Sequence, residues 1–286
     1  RWLLLPIQLG IACIQSIQAI RRHRPNVVLG MGGFAAFPGG LMAWLLRRPL
    51  IIHEQNSIAG LTNRTLAHFA RRVLAAFPSA FGSRAQLVGN PVRADIASLP
   101  DPESRMQSHS GALRLLVVGG SLGAQTLNEV VPQMLAQLPI DKRPQVVHQA
   151  GTKHLASLEA NYQAAGVAAD THAFIDDVAA MYSWCDVVIC RAGALTIAEL
   201  SAAGVASVLV PFPHAVDDHQ THNAAYLAKS GAAILVPQTE LTVTALLKIL
   251  TSLTREKLLD MAQKARALGK PEATTTVANI CAELAR

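Results

Sequence analysis

The chain has 286 residues, of which 51% are hydrophobic, 15% charged and 5% aromatic, and its formal net charge is +6. This composition excludes an intrinsically disordered chain, and the length is enough for two domains, each with its own core. The charge is too small to indicate a nucleic-acid-binding protein. The scattered cysteines match no metal or disulfide spacing and fit a reducing cytoplasm.

The first predicted element is a helix near the N-terminus. Residues 2–20 carry no charge, which raises the question of a membrane span. Isoleucines recur there at helical spacing, at Ile7, Ile11, Ile14 and Ile17. This period favours an amphipathic helix, with a signal peptide or a membrane span as the alternatives.

Short apolar runs then alternate with helical stretches along the chain. The first group of predicted strands is Asn26–Gly30, Leu50–His53, Arg72–Ala76 and Gln86–Val88. The second group is Leu113–Val118, Gln145–Gln149, Thr171–Phe174, Asp186–Cys190, Ser207–Val210 and Ala233–Val236. This alternation predicts an α/β protein with parallel sheets and right-handed crossovers.

The predicted domains follow from these two groups. Residues 99–111 are polar, contain two prolines and lack an apolar period, which indicates an interdomain linker. We therefore expect a first domain over 1–98 and a second, doubly wound domain over 112–270. A last helix over 271–286 packs either back on the first domain or on the second domain, which it follows in the chain. Because the first group has fewer strands and the chain begins with Arg1, we expect the opening part of the first domain to be missing.

Two glycine-rich turns follow buried strands, at Gly119–Gly123 and at Ala192–Gly193. Backbone N–H groups at the start of the helix after such a turn can face a phosphate. Glu199, one turn into the second helix, can hold a ribose diol. The two turns together predict a site for one nucleotide-sugar between neighbouring crossovers of the sheet. The alternative is that the glycines are needed only for tight packing of the turns.

Polar groups also end other predicted strands, where open parallel sheets place their ligand crevice. His53–Asn56 suits a sugar or an acceptor hydroxyl, or else caps the next helix. The segment 211–223 holds three histidines and two aspartates, but their spacing matches no usual zinc pattern. We favour contacts with sugar hydroxyls over a metal site there.

These motifs together resemble the MurG family, the N-acetylglucosaminyltransferases of peptidoglycan synthesis. The motifs are Gly30–Phe34, His53–Asn56, Gly89–Arg93, Gly119–Gly123, Ala192–Glu199 and Asp218–Gln220, in that order. The resemblance covers essentially the whole chain. It implies a GT-B fold of two Rossmann-like doubly wound domains, the first incomplete. It also implies inverting transfer of GlcNAc from UDP-GlcNAc to undecaprenyl-pyrophosphoryl-MurNAc-pentapeptide at the cytoplasmic face of the inner membrane. Anionic lipid is then a partner, and no cofactor, metal or nucleic acid is expected.

The resemblance also implies which residues contact the donor. They are Asn56, Arg93, Ser121, Ile175, Ala194, Leu195, Thr196, Glu199, His219 and Gln220. By this resemblance Glu199 holds the ribose hydroxyls, and Ile175 presents its backbone to uracil. The N–H groups of Ala194, Leu195 and Thr196 at the helix start hold the diphosphate, with help from Ser121 and Arg93. His219 and Gln220 face GlcNAc.

The resemblance leaves the catalytic base unassigned. The family opens with a glycine-rich loop whose histidine is the favoured base, and nothing here matches it. The weak local candidates are His53 and Glu54, and we expect the chain as given to bind donor but to be inactive. Alternatives are another UDP-sugar GT-B enzyme, such as a lipid glycosyltransferase or an epimerase, and a non-catalytic nucleotide-sugar-binding protein.

Overall fold

The computed structural model describes residues 5–120 and 124–286. They fall into two compact units, one formed by Arg1–Pro91 with Glu272–Arg286 and the other by Val92–Pro271. Both units are built on parallel sheets with flanking helices. The predicted α/β class is therefore confirmed, and each unit is described in turn.

The first unit contains four strands in one parallel sheet, ordered as they occur in the chain. The strands are β1 (Val28–Gly30), β2 (Leu50–Glu54), β3 (Arg72–Ala75) and β4 (Gln86–Leu87). The helices are α1 (Leu5–His23), α2 (Ala36–Leu45), α3 (Leu61–Leu66) and, from the end of the chain, α13 (Ala273–Leu284).

The core of this unit lies on both faces of β2, whose residues are all buried. Side chains alternate across a strand, so neighbouring residues serve opposite faces. Leu50 clusters with Leu66 of α3, whereas Ile51 clusters with Val277 and Ile280 of α13. The last helix therefore covers one face of the first unit's sheet, which was one of the two packings expected from its sequence.

The second unit contains a six-stranded parallel sheet in the order β10-β9-β8-β5-β6-β7. The strands are β5 (Arg114–Val118), β6 (Gln145–Gln149), β7 (Asp170–His172), β8 (Val187–Cys190), β9 (Ser207–Leu209) and β10 (Ala233–Leu235). The helices are α4 (Ala94–Ala97), α5 (Pro102–Met106), α6 (Gln125–Ala136), α7 (Leu155–Ala165), α8 (Val178–Trp184), α9 (Ala194–Ala203), α10 (His219–Ala228), α11 (Val243–Ser252) and α12 (Arg255–Leu268).

The strand order of this sheet reverses between β5 and β8. These two strands are neighbours although the chain visits β6 and β7 between them. The connections that leave β5 and β8 run to opposite sides, and the crevice at such a switch point is where open α/β sheets bind their ligands. The topology thus places the candidate site at the carboxyl ends of β5 and β8.

The observed domain boundaries differ from the predicted ones. Residues 92–98, expected in the first domain, and 99–111, expected as a linker, belong to the second unit. Arg105 in α5 donates to the carbonyl oxygens of Tyr182 (2.8 Å) and Gly204 (2.6 Å). His109 Nδ1 lies 2.6 Å from the buried carboxylate of Asp186. This segment is held largely by polar contacts, without a continuous apolar face. Its sequence therefore shows no apolar period from which its packing could be predicted.

The N-terminal helix exposes much of its isoleucine stripe. Ile7, Ile11 and Ile14 are 59%, 50% and 57% exposed, while Ile20 packs with Met42. The isoleucine stripe of α1 is therefore only partly covered by the rest of the first unit. Across residues 5–120 and 124–286, no helix combines the length and the apolar character needed to cross a membrane.

Candidate functional site

The strands that precede the two predicted glycine-rich turns are neighbours and end at the same level, so Gly119 and Gly120 follow β5 beside the turn that follows β8. Val118 at the end of β5 is in register with Cys190 at the end of β8, and each turn follows its strand directly. Gly120 has φ +82°, a left-handed conformation that favours glycine. A Cβ at this position would meet no atom of residues 5–118 or 124–286 within 4 Å. Ser121, the predicted phosphate contact, lies outside the described residues.

The turn after β8 leads into the N-terminus of α9. Gly193 precedes the helix in an extended conformation, and Ile197 N–H makes the first intrahelical bond, to Gly193 O (2.9 Å). The amides of residues 194–196 thus occupy the helix start, where N–H groups and the helix dipole favour an anion. The structure therefore gives the predicted residues Ala194, Leu195 and Thr196 a geometry suited to a diphosphate.

The carboxylate of Glu199 lies half-buried one turn further along α9. Tyr182 donates its hydroxyl to Glu199 Oε2 at 3.3 Å. Burial raises the pKa of Glu199 above its ordinary value, while Arg93 and the Tyr182 hydrogen bond act in the opposite direction. Arg93 is the N-cap residue just before α4, and its guanidinium lies 3.7 Å from the carboxylate of Asp95. Arg93 and Glu199, two predicted donor contacts, are thus close enough to interact electrostatically.

Gln149 is a residue of this site that the sequence did not reveal. It ends β6, is 3% exposed, and its side chain accepts from Gly120 N–H (3.2 Å) while donating to Gly120 O (3.1 Å). The same amide donates to Ala173 O (3.2 Å), just before Phe174 and Ile175. One side chain therefore fixes the first glycine turn and the segment predicted to meet uracil.

We expect Gln149→Leu to weaken UDP binding roughly tenfold, because it leaves Gly120 without its side-chain partners and frees both segments. Isothermal titration calorimetry with UDP measures the effect. Gln163→Leu, on the exposed surface of α7, is the matched control. Wild-type affinity in the Gln149 variant would show that the amide has no part in donor binding.

The residues predicted to face GlcNAc, His219 and Gln220, begin α10, directly after the loop that follows β9. Asp217 and Asp218 both adopt left-handed φ values, +52° and +51°, which are strained for residues other than glycine. Gln220 Oε1 accepts from Phe212 N–H (2.9 Å), so this amide oxygen holds the loop. Within the described residues, no three His, Cys, Asp or Glu side chains gather as a metal ion would require.

Arg191 supports the same loop from β8. Its guanidinium donates to the carbonyls of Val210 (3.1 Å) and Pro211 (3.2 Å) and to Gln238 Oε1 (2.6 Å). It also lies 5.6 Å from the ring centroid of Phe212. The local sequence around Arg191 does not distinguish it from other arginines, so its role becomes visible only in the fold.

The predicted base candidates of the first unit are engaged in fixing loops. His53 is fully buried and donates from Nε2 to Gly89 O (2.8 Å), and burial lowers its pKa. Glu54 accepts from the backbone N–H groups of Asn56 (3.0 Å) and Gly60 (3.1 Å) and from the amide of Asn63 (2.8 Å). These contacts fix the loop between β2 and α3 and, through His53, the segment after β4. They are not a side-chain cap of α3, whose N-cap residue is Gly60 and makes no side-chain capping bond.

Family models match both units of the chain and identify its family. The family model of the glycosyltransferase family 28 C-terminal domain matches residues 114–280, and that of the N-terminal domain matches residues 3–75. The chain belongs to glycosyltransferase family 28. The second unit lies within the C-terminal match from residue 114 onward, which includes all six strands of its sheet.

Curated relatives agree with the assignment to family 28. A protein of Cupriavidus metallidurans is 60% identical over 99% of this chain and 79% of its own length. One of Dechloromonas aromatica is 57% identical over 100% of this chain and 81% of its own length. Both are named UDP-N-acetylglucosamine–N-acetylmuramyl-(pentapeptide) pyrophosphoryl-undecaprenol N-acetylglucosamine transferase.

Solved structures place this family 28 chain among GT-B folds. The crystal structure of Acinetobacter baumannii MurG matches with a TM-score of 0.88 and 39% identity, covering 97% of this chain and 79% of that one. The UDP-GlcNAc 2-epimerase of Neisseria meningitidis, bound to UDP-GlcNAc, matches with a TM-score of 0.66 at 11% identity, covering 96% and 81%. The second likeness concerns the fold alone. The predicted GT-B fold and the predicted family are confirmed.

Proposed function

We propose that the protein transfers GlcNAc from UDP-GlcNAc, with inversion, to undecaprenyl-pyrophosphoryl-MurNAc-pentapeptide, and that the residues described here supply its donor site. The product is the lipid-linked disaccharide-pentapeptide used in peptidoglycan synthesis. The observation that carries the proposal is the pairing of two glycine turns and Glu199 at the switch point, in a chain 60% identical to a transferase named for this reaction. The glycine turns suit a diphosphate, and the carboxylate suits a ribose.

We assign the donor contacts of the second unit by the chemistry of each group. Glu199 accepts from the ribose hydroxyls, and the amides of residues 194–196 bind the diphosphate, with Ser121 and Arg93 contributing further donors. Ile175 presents its backbone to uracil. His219 and Gln220 contact the GlcNAc hydroxyls, and Asn56 of the first unit remains a predicted donor contact.

The leaving group sets the electrostatic demand of the reaction. UDP departs as a diphosphate, and its growing negative charge needs stabilisation by groups that are already oriented. The N-terminus of α9 and the guanidinium of Arg93 supply positive potential from the second unit. The acceptor hydroxyl needs a base, and we assign this role to neither His53 nor Glu54, because both hold loops of the first unit.

Donor binding tests the proposal on the chain as it stands. We expect UDP-GlcNAc to bind with measurable heat in calorimetry, since most of the assigned contacts lie in the second unit. UDP competes with it, and ADP, which lacks uracil, competes weakly. Protein that is folded by circular dichroism but gives no heat with UDP-GlcNAc would overturn the assignment.

We also propose that the first unit docks on the anionic cytoplasmic face of the bacterial inner membrane, where the lipid-linked acceptor resides. The exposed isoleucines of α1 lie on a helix that ends in Arg21, Arg22 and His23. Trp44 is 44% exposed at the end of α2, next to Arg47 and Arg48. Apolar side chains beside cations are typical of an interfacial helix on anionic lipid.

We expect the triple substitution Ile7→Gln, Ile11→Gln and Ile14→Gln to lower partitioning onto vesicles containing phosphatidylglycerol by roughly a thousandfold, because each of the three isoleucines loses about 1.5 kcal/mol of burial. Vesicle co-sedimentation measures the effect. Ile140→Gln, at a position 82% exposed in the second unit, is the control. Equal sedimentation of the triple variant and wild type would contradict the docking surface.

A further inference from the structure

The side chain of Tyr182 occupies an unusual position for a polar group. It lies in the last turn of α8, is 3% exposed, and its hydroxyl donates to Glu199 Oε2. Its backbone carbonyl is fixed as well, because Arg105 donates to it at 2.8 Å. A buried tyrosine hydroxyl requires a polar partner, and here that partner is the carboxylate assigned to the ribose.

The groups facing Glu199 come from three other elements. Tyr182 approaches from α8, and Arg93 and Asp95 approach from the start of α4. Cys190 approaches from β8, and burial raises the pKa of its thiol to about 12, so it is neutral near neutral pH. Burial and Asp95 oppose the charged form of Glu199, whereas Tyr182 and Arg93 favour it.

These contacts have two consequences for a carboxylate that must bind a diol. A hydrogen bond to one oxygen restricts the side-chain rotation of Glu199 and leaves further lone pairs free to accept. The same bond favours the ionised form, which accepts two hydroxyl protons more strongly than a neutral acid does. Tyr182 is thus placed to govern both the orientation and the charge of Glu199.

We infer that Tyr182 is a positioning residue that holds Glu199 oriented and ionised for the ribose of the nucleotide donor. The inference rests on the proposed function, in which Glu199 binds that ribose. The helix α8 carries Tyr182 near its C-terminal end and follows directly after the segment of Ile175, which we assign to uracil. One short helix therefore connects the base-contacting segment to the support of the ribose-contacting carboxylate.

The test compares UDP affinity in Tyr182→Phe, Glu199→Gln and the double variant, measured by calorimetry across a range of pH. Tyr182→Phe removes one hydroxyl from the core, and we expect it to weaken UDP binding roughly three- to tenfold. In the Glu199→Gln background the same substitution should have little further effect. Tyr162→Phe, which removes another buried hydroxyl of the second unit, next to His148 Nδ1, should bind UDP like wild type.

The pH profile separates positioning from a general loss of structure. UDP binding should weaken on acidification as Glu199 becomes protonated. Without the Tyr182 hydrogen bond the pKa of Glu199 rises further, so this weakening should begin at a higher pH in Tyr182→Phe than in wild type or Tyr162→Phe. Because UDP itself titrates equally in every arm, the difference between variants reports the protein.

A second substitution keeps the hydroxyl and should shift the pH at which UDP binding weakens in the opposite direction. Incorporation of 3-fluorotyrosine at position 182 makes the phenol more acidic and a stronger donor, so the acid weakening should move to lower pH. Wild-type affinity and pH profile in both position-182 variants, with Glu199→Gln still impaired, would overturn the positioning role alone. If Glu199→Gln itself binds UDP normally, the ribose assignment of the proposed function fails instead.

Discussion

Replacing Glu199 by alanine is expected to lower the affinity for UDP at least tenfold. Hydrogen bonds from hydroxyls to a carboxylate are charge-assisted, and each contributes about 1.5–3 kcal/mol. The variant loses every bond that the ribose makes to this side chain. It also removes the carboxylate partner of the Tyr182 hydroxyl, and Tyr182 is only 3% exposed to solvent. Calorimetry with UDP measures the loss.

The effect of Glu199 has a matched control within the second unit. Glu159 lies exposed on α7, so Glu159→Ala makes the same chemical change on the surface. We expect this variant to bind UDP as wild type does. Equal UDP affinity for wild type and Glu199→Ala would remove Glu199 from the donor site.

The second large effect is expected at Asp186, whose side chain is fully buried. Its carboxylate accepts from Arg114 N–H (2.9 Å) and from Arg255 (3.3 Å), and it lies 2.6 Å from His109 Nδ1. Removing one member of a buried ionic group leaves the others uncompensated, at a cost of about 3–5 kcal/mol. We therefore expect Asp186→Ala to lower the stability of the second unit by this amount.

Hydrogen exchange gives a local measurement of that loss, since the two compact units need not unfold together. Protection of the amides of β5 and β8, the strands beside Asp186, should fall in Asp186→Ala and remain unchanged in the exposed variant Asp141→Ala. Similar protection in the two variants would mean that the cluster contributes little to stability.

The strands were the part of the fold that sequence alone predicted well. Each predicted strand corresponds to an observed one, with ends that shift by a residue or two. Strands buried on both faces consist of almost continuous apolar residues, as in Val187–Cys190, and such runs are easily recognised. The strand ends then indicated where polar site residues such as Glu199 lie.

The domain boundary shows what apolar patterns cannot predict. Residues 99–111 are held by Arg105 and His109, which bond to carbonyl oxygens and to Asp186 from far along the chain. Such contacts depend on tertiary neighbours and leave no periodic trace in the sequence. A segment that is polar and proline-containing therefore looked like a linker although it is fixed within the second unit.

The supports of the candidate site were missed for a related reason. Gln149 and Tyr182 look like an ordinary strand end and an ordinary helical core residue. Their roles depend on β6 lying beside β5 and on α8 packing beside α9, neighbours that only the folded topology defines. Residues that contact a ligand often form recognisable sequence motifs, whereas the residues that hold them in place seldom do.

The helix α13 has a consequence for how the protein is made. Val277 and Ile280 complete the cluster around Ile51 and Leu74, so the first unit's sheet lacks one of its covers until α13 has been synthesised. On the ribosome, the second unit has its whole sequence available earlier than the first does. Changes within α13 will therefore disturb the core around Ile51, which is remote from that helix in sequence.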